Sequence, residues 1–241
     1  MNSKGPVENP AGAAAASAER QPRRRRKELV DAAAKLFQEK GYEATSIQDI
    51  ADALGILKGS IYYYIDSKED LLFAVIQEVH ETALANVERL RQIDADALTK
   101  IRMFIAGHIR HVAEELVKAT VFFHDFRALS EERRQYIVAE RALYTNYLRE
   151  LILQGQKEGT ICPDVDANIA SMAILGVINW TYQWYHPEGD RNPMEIGHAF
   201  ADLVLGGITC TDESHRPGHR GQLGELPAGL DIGDHGRPIT T

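Results

Sequence analysis

The spacing of apolar positions is helical along most of the chain. From about Arg24 to Lys40, Leu29, Ala33, Leu36 and Phe37 recur on one face, and Gly41 supplies a stop. Ser46 precedes Asp49 by three residues, the arrangement of a capping box. Ile47, Ile50, Ala51 and Leu54 then fall at i, i+3, i+4 and i+7, which predicts a second helix closed by Gly55. A short helix follows over Lys58 to Tyr64. Ser67 and Asp70 repeat the start signal and open a long helix to about Arg91, with Leu71, Val75, Ile76 and Val79 inward. Further helices are predicted at 96–118, 120–129, 131–157, 165–186 and 193–210, with Pro163-Asp164 and the stretch from Pro187 to Pro193 as punctuation. No stretch alternates as a strand would, and there is no internal repeat. The expected class is all-α, with about nine helices: a three-helix head and a larger helical body.

Four regions follow from this pattern. Residues 1–22 are rich in Ala, Gly, Pro and Ser without periodicity and predict a disordered tail. Residues 23–68 form a helix-turn-helix head, and 69–210 a larger helical body. Residues 211–241, where glycines alternate with Pro217, Pro227 and Pro238, predict a second tail.

Composition narrows the function classes. The chain has 241 residues, 44% hydrophobic, with ample apolar material for a core. No apolar run reaches the ~18 residues of a membrane span, and the Ala13–Ala16 run does not make a secretory signal, so a cytoplasmic protein away from membranes is expected. Cys162 and Cys210 provide neither a disulfide framework nor a CxxC metal knuckle. The net charge is −8, unevenly spread. Residues 20–68 carry ten Lys and Arg against seven Asp and Glu, whereas 69–241 carry sixteen against twenty-six. A basic head on an acidic body suits a protein that offers one end to phosphate.

The head carries the sharper chemistry. A bracing helix needs an apolar face, which positions 47, 50, 51 and 54 provide, and a tight turn needs a residue tolerant of positive φ, which Gly55 provides. The reading helix needs small or polar residues where its backbone approaches the duplex, which Lys58-Gly59-Ser60 provide, and Tyr62 and Tyr63 add hydroxyl donors. Arg23 to Lys27 form a basic cluster placed for backbone phosphate or a minor groove. The plain alternative is a helical hairpin with its tyrosines in the core and its arginines in solvent.

These residues also carry a family resemblance. Ala32-Ala33-Ala34-Lys35-Leu36-Phe37, Gly41-Tyr42, Ala44-Thr45-Ser46, Asp49-Ile50-Ala51, Leu54-Gly55, Gly59-Ser60-Ile61-Tyr62-Tyr63 and Ser67 to Leu72 resemble the tetracycline-repressor (TetR) family. The resemblance implies a homodimer of helical subunits on a double-stranded palindromic operator, and it assigns ligand binding and dimerisation to the body at 69–210. Carried over by position, Thr45 and Ser46 would meet phosphate, Lys58, Gly59, Ser60, Tyr62 and Tyr63 would face the groove, and Lys68 would hold phosphate, beside Arg24 of the basic cluster. Two positions depart from the family. Ile56-Leu57 stand where Ser or Thr usually caps the reading helix, and Tyr64-Ile65 stand where His-Phe usually follows the tyrosine pair.

In the body, Ile169, Ala173, Gly176 and Trp180, with Ile196, Phe200, Leu203, Val204 and Gly207, suit a four-helix interface made by two helices from each subunit. Met103, Phe104, His108, Phe122, Phe123, Phe126, Tyr144, Tyr147, Trp180, Tyr182 and Trp184 are candidates for an apolar ligand pocket, with ordinary core packing as the alternative for each. Trp184-Tyr185, Pro187-Glu188-Gly189 and Gly206-Gly207-Ile208 look like TetR-family repressors of lipid and steroid degradation whose inducers are acyl-CoA thioesters. That resemblance implies a small-molecule inducer, acyl-CoA among the candidates, and Arg127, Arg134 or Arg141 as contacts for CoA phosphates. The expected function is a ligand-responsive repressor without catalytic residues, cofactor or metal. Alternatives are a metal-responsive regulator using His108, His111, His124 and Asp125, an activator of the same fold, or an enzyme on an acyl or steroid substrate.

Overall fold

The computed structural model describes residues 10–209. The expected tail at 211–241 and the first nine residues of the tail at 1–22 lie outside the described residues. In chain order the helices are α1 (Pro10–Lys40), α2 (Ile47–Ala53), α3 (Lys58–Ile61), α4 (Lys68–Gln92), α5 (Ala97–Glu114), α6 (Leu116–Asp125), α7 (Glu131–Lys157), α8 (Ala167–Asn179), α9 (Thr181–Trp184) and α10 (Pro193–Ile208), with a 3-10 turn at Phe126–Ala128. Among the described residues the one extended pairing is an isolated antiparallel bridge between Ile161 and Thr209.

Local signals account for most boundaries. Ser46 and Ser67 each close a capping box, with Asp49 and Asp70 respectively, and Asn192 with Glu195 does the same ahead of Pro193. Gly41 and Gly55 sit at φ of 83° and 62°, the left-handed region that ends α1 and turns the chain after α2. Several boundaries differ from the sequence reading: α3 ends at Ile61 and not Tyr64, and α5 gives way to α6 at Glu115 and not near 119, while two differences are larger. α1 begins at Pro10 and not near Arg24, because the alanines at 13–16 are the strongest helix formers and carry the helix toward the N-terminus. The helix expected over 165–186 is two, broken at Trp180, whose N–H reaches only the Ile178 carbonyl. The break lets Tyr182 stack on Phe123 of α6 at 4.5 Å.

Two hydrophobic clusters hold the chain together. The first joins Leu29, Phe37, Ile50 and Ile61 of the head to Leu71, Val75 and Ile76 of α4, and on to Phe122, Leu129 and Ile137. The expected boundary at 68/69 falls inside it. The second gathers around Ile101, Phe104, Ile105 and Ile109 of α5, against α7, α8 and α10. α10 lies close on α5 because Gly197 has no Cβ; one there would stand 2.6 Å from the Ala106 Cα. α4 belongs to both clusters: its start closes the head and its later turns wall the body.

Candidate DNA interface and ligand cavity

The Ile56 N–H donates to the Ala51 carbonyl at 3.0 Å, folding the chain back over the end of α2. Leu57 then starts α3 as its N-cap, with no side chain capping the helix. Ile61 is fully buried and pins α3 to the core, which leaves Lys58, Gly59, Ser60, Tyr62 and Tyr63 outside. Tyr63 and Leu57 are each 80% exposed, so the alternative that placed the tyrosines in the core fails. Leu57 was not a sequence candidate. An Ile-Leu pair at a helix start reads as core, and only the fold sends Ile56 inward and Leu57 outward, where its side chain suits a thymine methyl.

Arg24 is exposed and shares the Glu28 carboxylate with Arg25, at 3.0 and 2.8 Å. Arg23, Arg26 and Lys27 form no ion pair among the described residues. Ser46 is exposed but committed to its capping box; its hydroxyl donates to Asp49, and those bonds with Lys40 hold the Asp49 carboxyl down at about 2.

Thr45 and Lys68 are corrections to the sequence reading. Thr45 is 1% exposed, and its hydroxyl donates to the carbonyls of Gly41 at 2.8 Å and Leu36 at 3.2 Å. It ties the α1–α2 loop together and faces no solvent. Lys68 spends its ammonium on the carbonyls of Tyr42, Thr45 and Glu43, at 2.8, 3.0 and 3.3 Å, and sits 4.2 Å from the Tyr42 ring centre. Three donors on three carbonyls leave none for phosphate.

The body contains two adjoining chambers. The outer, of about 340 Å³, lies between α4, α5 and α10 and includes Met103, Phe104, His108 and Tyr144 in its wall. The inner, of about 70 Å³, adds Phe122 and Phe123 and shares His108, His111 and Tyr144 with the outer. His108 Nδ1 and the Tyr144 hydroxyl are bonded at 2.7 Å in that shared wall. Burial pushes His108 down to about 3 and His80 down to about 4, so both are neutral near pH 7, and it pushes the Tyr144 phenol up. Arg89, Arg102 and Arg110 line the outer chamber and Arg141 the inner, while no carboxylate lines either. Arg102 is ion-paired with Asp202 and Arg110 lies 3.8 Å from the Glu114 carboxylate, whereas Arg89 and Arg141 have no ion pair among the described residues.

The other five pocket candidates line neither chamber. Phe126 packs on the first cluster, its ring 5.9 Å from that of Phe122. Tyr147 is buried in the second cluster, with the Arg91 guanidinium 4.5 Å above its ring. Trp184 stacks on Phe200 at 5.6 Å, Tyr182 on Phe123, and Trp180 is 57% exposed. Aromatic residues at helical spacing serve core packing as readily as a cavity, and the period does not separate the two. The groups of the metal alternative do not converge: His108 and His111 share the chamber wall, but each is bonded elsewhere. His111 Nε2 donates to the Val79 carbonyl at 3.0 Å, His124 is exposed against Tyr182, and no cluster of three metal-ligating side chains occurs among the described residues.

Residues 29–75 match the family described as bacterial regulatory proteins, tetR family, and residues 94–208 match the tetracyclin repressor-like C-terminal domain. PfmR of Thermus thermophilus, a TetR family transcriptional regulator, superposes with a TM-score of 0.70 at 33% identity, over 73% of this chain and 96% of its own. The chain belongs to the TetR family. Among its relatives is the HTH-type transcriptional repressor KstR2 of Mycobacterium tuberculosis, 27% identical over 77% of this chain and 93% of the relative. The solved structure of that ketosteroid regulator superposes with a TM-score of 0.74, over 78% of this chain and 96% of its own. AibR in complex with isovaleryl coenzyme A and operator DNA is 27% identical, with a TM-score of 0.68, over 75% of this chain and 98% of its own.

For this TetR-family regulator the structure also separates the three arginines suggested for phosphate. Arg127 is exposed on the turn after α6. Arg134 donates to the carbonyls of Arg127 and Leu129, each at 3.1 Å, and fastens that turn to α7. Arg141 alone of the three lines a chamber. Arg89, Arg102, Arg110 and His198 line the outer chamber without having been singled out, since isolated cations on amphipathic helices look like ordinary surface. Among the described residues, no helix is long and apolar enough to cross a membrane.

Proposed function

We propose that this chain is a cytoplasmic, ligand-responsive repressor that binds a palindromic operator as a homodimer and is released by an apolar, anionic metabolite of the acyl-CoA type. The observation that carries the reading is the double duty of α4. Its first turns pack into the head core with Ile50 and Ile61, and Ala83, Val87 and Leu90, farther along, line the outer chamber. A ligand that displaces those later turns moves the base of the head with them. It shifts the DNA-binding equilibrium by as much as its differential affinity for the two states. The arginines and the absence of carboxylates favour an anion over a neutral lipid, and the coenzyme A thioester held by AibR supplies the chemistry: phosphates for the mouth and an acyl chain for the interior.

The exposed stripe of Ile169, Met172, Val177 and Trp180 on α8, with Leu203 on α10, supports the dimer. Helix N-termini held one helical turn apart by such a pairing would match two half-sites. Selection of duplexes from a random library by the purified chain tests the reading. An enriched palindrome is expected, and its complex should dissociate on titration with hexanoyl-CoA. Tyr62→Ala should weaken that complex by about tenfold with an unchanged melting curve, since its side chain is half exposed. A library that yields no enriched palindrome overturns the proposal.

A further inference from the structure

The inner chamber holds polar groups that an aliphatic chain end would leave unsatisfied. His80 is 8% exposed, and its Nε2 has no hydrogen-bond partner. Arg141 is an exposed residue at the rim of this chamber, and no carboxylate pairs with it among the described residues. Its one charge-related contact is the face of Phe122, 5.6 Å from the ring centre. Asn179 completes the polar wall beside His108. The remaining wall is apolar, with Val79, Val112 and Leu175 among it.

The buried, unpartnered imidazole of His80 is costly in an apolar wall unless a ligand satisfies it, and the unpaired guanidinium of Arg141 at the rim supplies the matching charge. A carboxylate does so best, because it accepts from arginine with both oxygens and still has lone pairs for an imidazole N–H and an amide. Size agrees. The 70 Å³ chamber is about half the size of the ~150 Å³ cavity that takes up benzene, and suits a carboxylate with its adjoining methylene. It is too small for a ring.

We infer that the inner chamber is a subsite for a carboxylate, and that the ligand is therefore charged at both ends: a phosphate-bearing group at the outer arginines and a carboxyl-terminated acyl chain reaching Arg141 and His80. This rests on the thioester reading above and sharpens it to a dicarboxylic acyl group. The neutral state of His80 leaves Arg141 as the source of positive charge at the inner end and lets the imidazole serve as a hydrogen-bond donor.

Calorimetric titration of the full chain with adipyl-CoA, hexanoyl-CoA and free adipate tests it. Adipyl-CoA should bind more tightly than hexanoyl-CoA by roughly ten- to a hundredfold. Arg141→Gln should abolish that preference, bringing adipyl-CoA affinity down to that of hexanoyl-CoA. His80→Leu should reduce the preference severalfold, and it provides an independent reading if Arg141→Gln fails to give the native circular dichroism spectrum. Equal affinity for the two thioesters, or a preference that survives both substitutions, overturns the carboxylate subsite and leaves the thioester reading standing. Binding of adipate alone, lost in Arg141→Gln, upholds the subsite and removes the thioester reading. Failure of all three compounds to bind overturns both.

Discussion

The head and the body of this chain both present cations to an anion, and they do so by opposite physical means. In the head, Lys58 and the Arg23–Lys27 cluster stand in solvent, where charge acts at long range but is screened by salt. In the body, the neutral His80 and His108 are held out of water beside Arg141, and the chamber linings include arginines and no carboxylate. The first arrangement suits a polyanion that must be found and scanned, and the second a single small ligand that must be told apart from others. A net-charge figure of −8 describes neither.

The largest test of this contrast is ionic strength. A dimer that neutralises about six phosphates should lose about three orders of magnitude in operator affinity between ~50 and ~200 mM salt. Thioester affinity, measured by titration under the same conditions, should change far less, because a small ligand engages fewer cations than a duplex and releases fewer counterions. Equal salt slopes for DNA and ligand would break the comparison.

Acidification comes next and should strike the body alone. His80 and His108 have folded pKa values pushed below the unfolded value near 6.5, so their neutral forms favour the fold. Their contribution is complete above that value and is lost as pH falls from about 6.5 toward 4 for His80 and 3 for His108. Between pH ~7 and ~5 the loss is about 2 kcal/mol for each histidine. Asp49 in the head is also lowered, to about 2, but because hydrogen bonds from Ser46 and Lys40 hold its charged form, so its contribution is lost only as pH falls through the usual carboxylate range toward that value. Both tryptophans, Trp180 and Trp184, lie in the body, so urea titration followed by their fluorescence reads the body directly. Amide exchange in α2 should stay protected over the same interval.

Lys118 offers a smaller and more pointed test, since it bridges the two regions. Its ammonium lies 2.9 Å from Asp31 on α1, 2.8 Å from Glu78 on α4 and 3.3 Å from Glu115. These carboxylates hold its pKa well above the usual lysine value against the effect of burial. Lys118→Met should cost about 1–2 kcal/mol by thermal unfolding, toward the low end because its partners are partly exposed. It should also reduce the drop in operator affinity produced by ligand. A variant equally stable and equally responsive would show that Lys118 plays no part in coupling head to body.

Legibility followed the same division. The capping boxes at Ser46 and Ser67, the left-handed Gly41 and Gly55 and the outward Lys58–Tyr63 surface were all readable, because each depends on residues within a few positions of one another. Thr45 and Lys68 were misread for the complementary reason. Their polar groups are consumed by carbonyls from the α1–α2 loop, and for Lys68 these lie more than twenty residues away along the chain. In the body, the aromatic spacing gave Phe104, Phe122 and Tyr144 the same standing as Tyr147 and Trp184, and only packing separated wall from core.

The sequence by itself determined the helical class, the head with its reading surface, and the family, since helix periods, caps and a motif of contiguous residues are local and survive without knowledge of the fold. The tertiary structure decided which cations face a cavity, which polar groups are already spent, and that His80, His108 and Arg141 meet at one end of it. Those properties are sums over α4, α5, α7 and their neighbours. No window of sequence contains their burial, because burial is set by what packs from elsewhere in the chain.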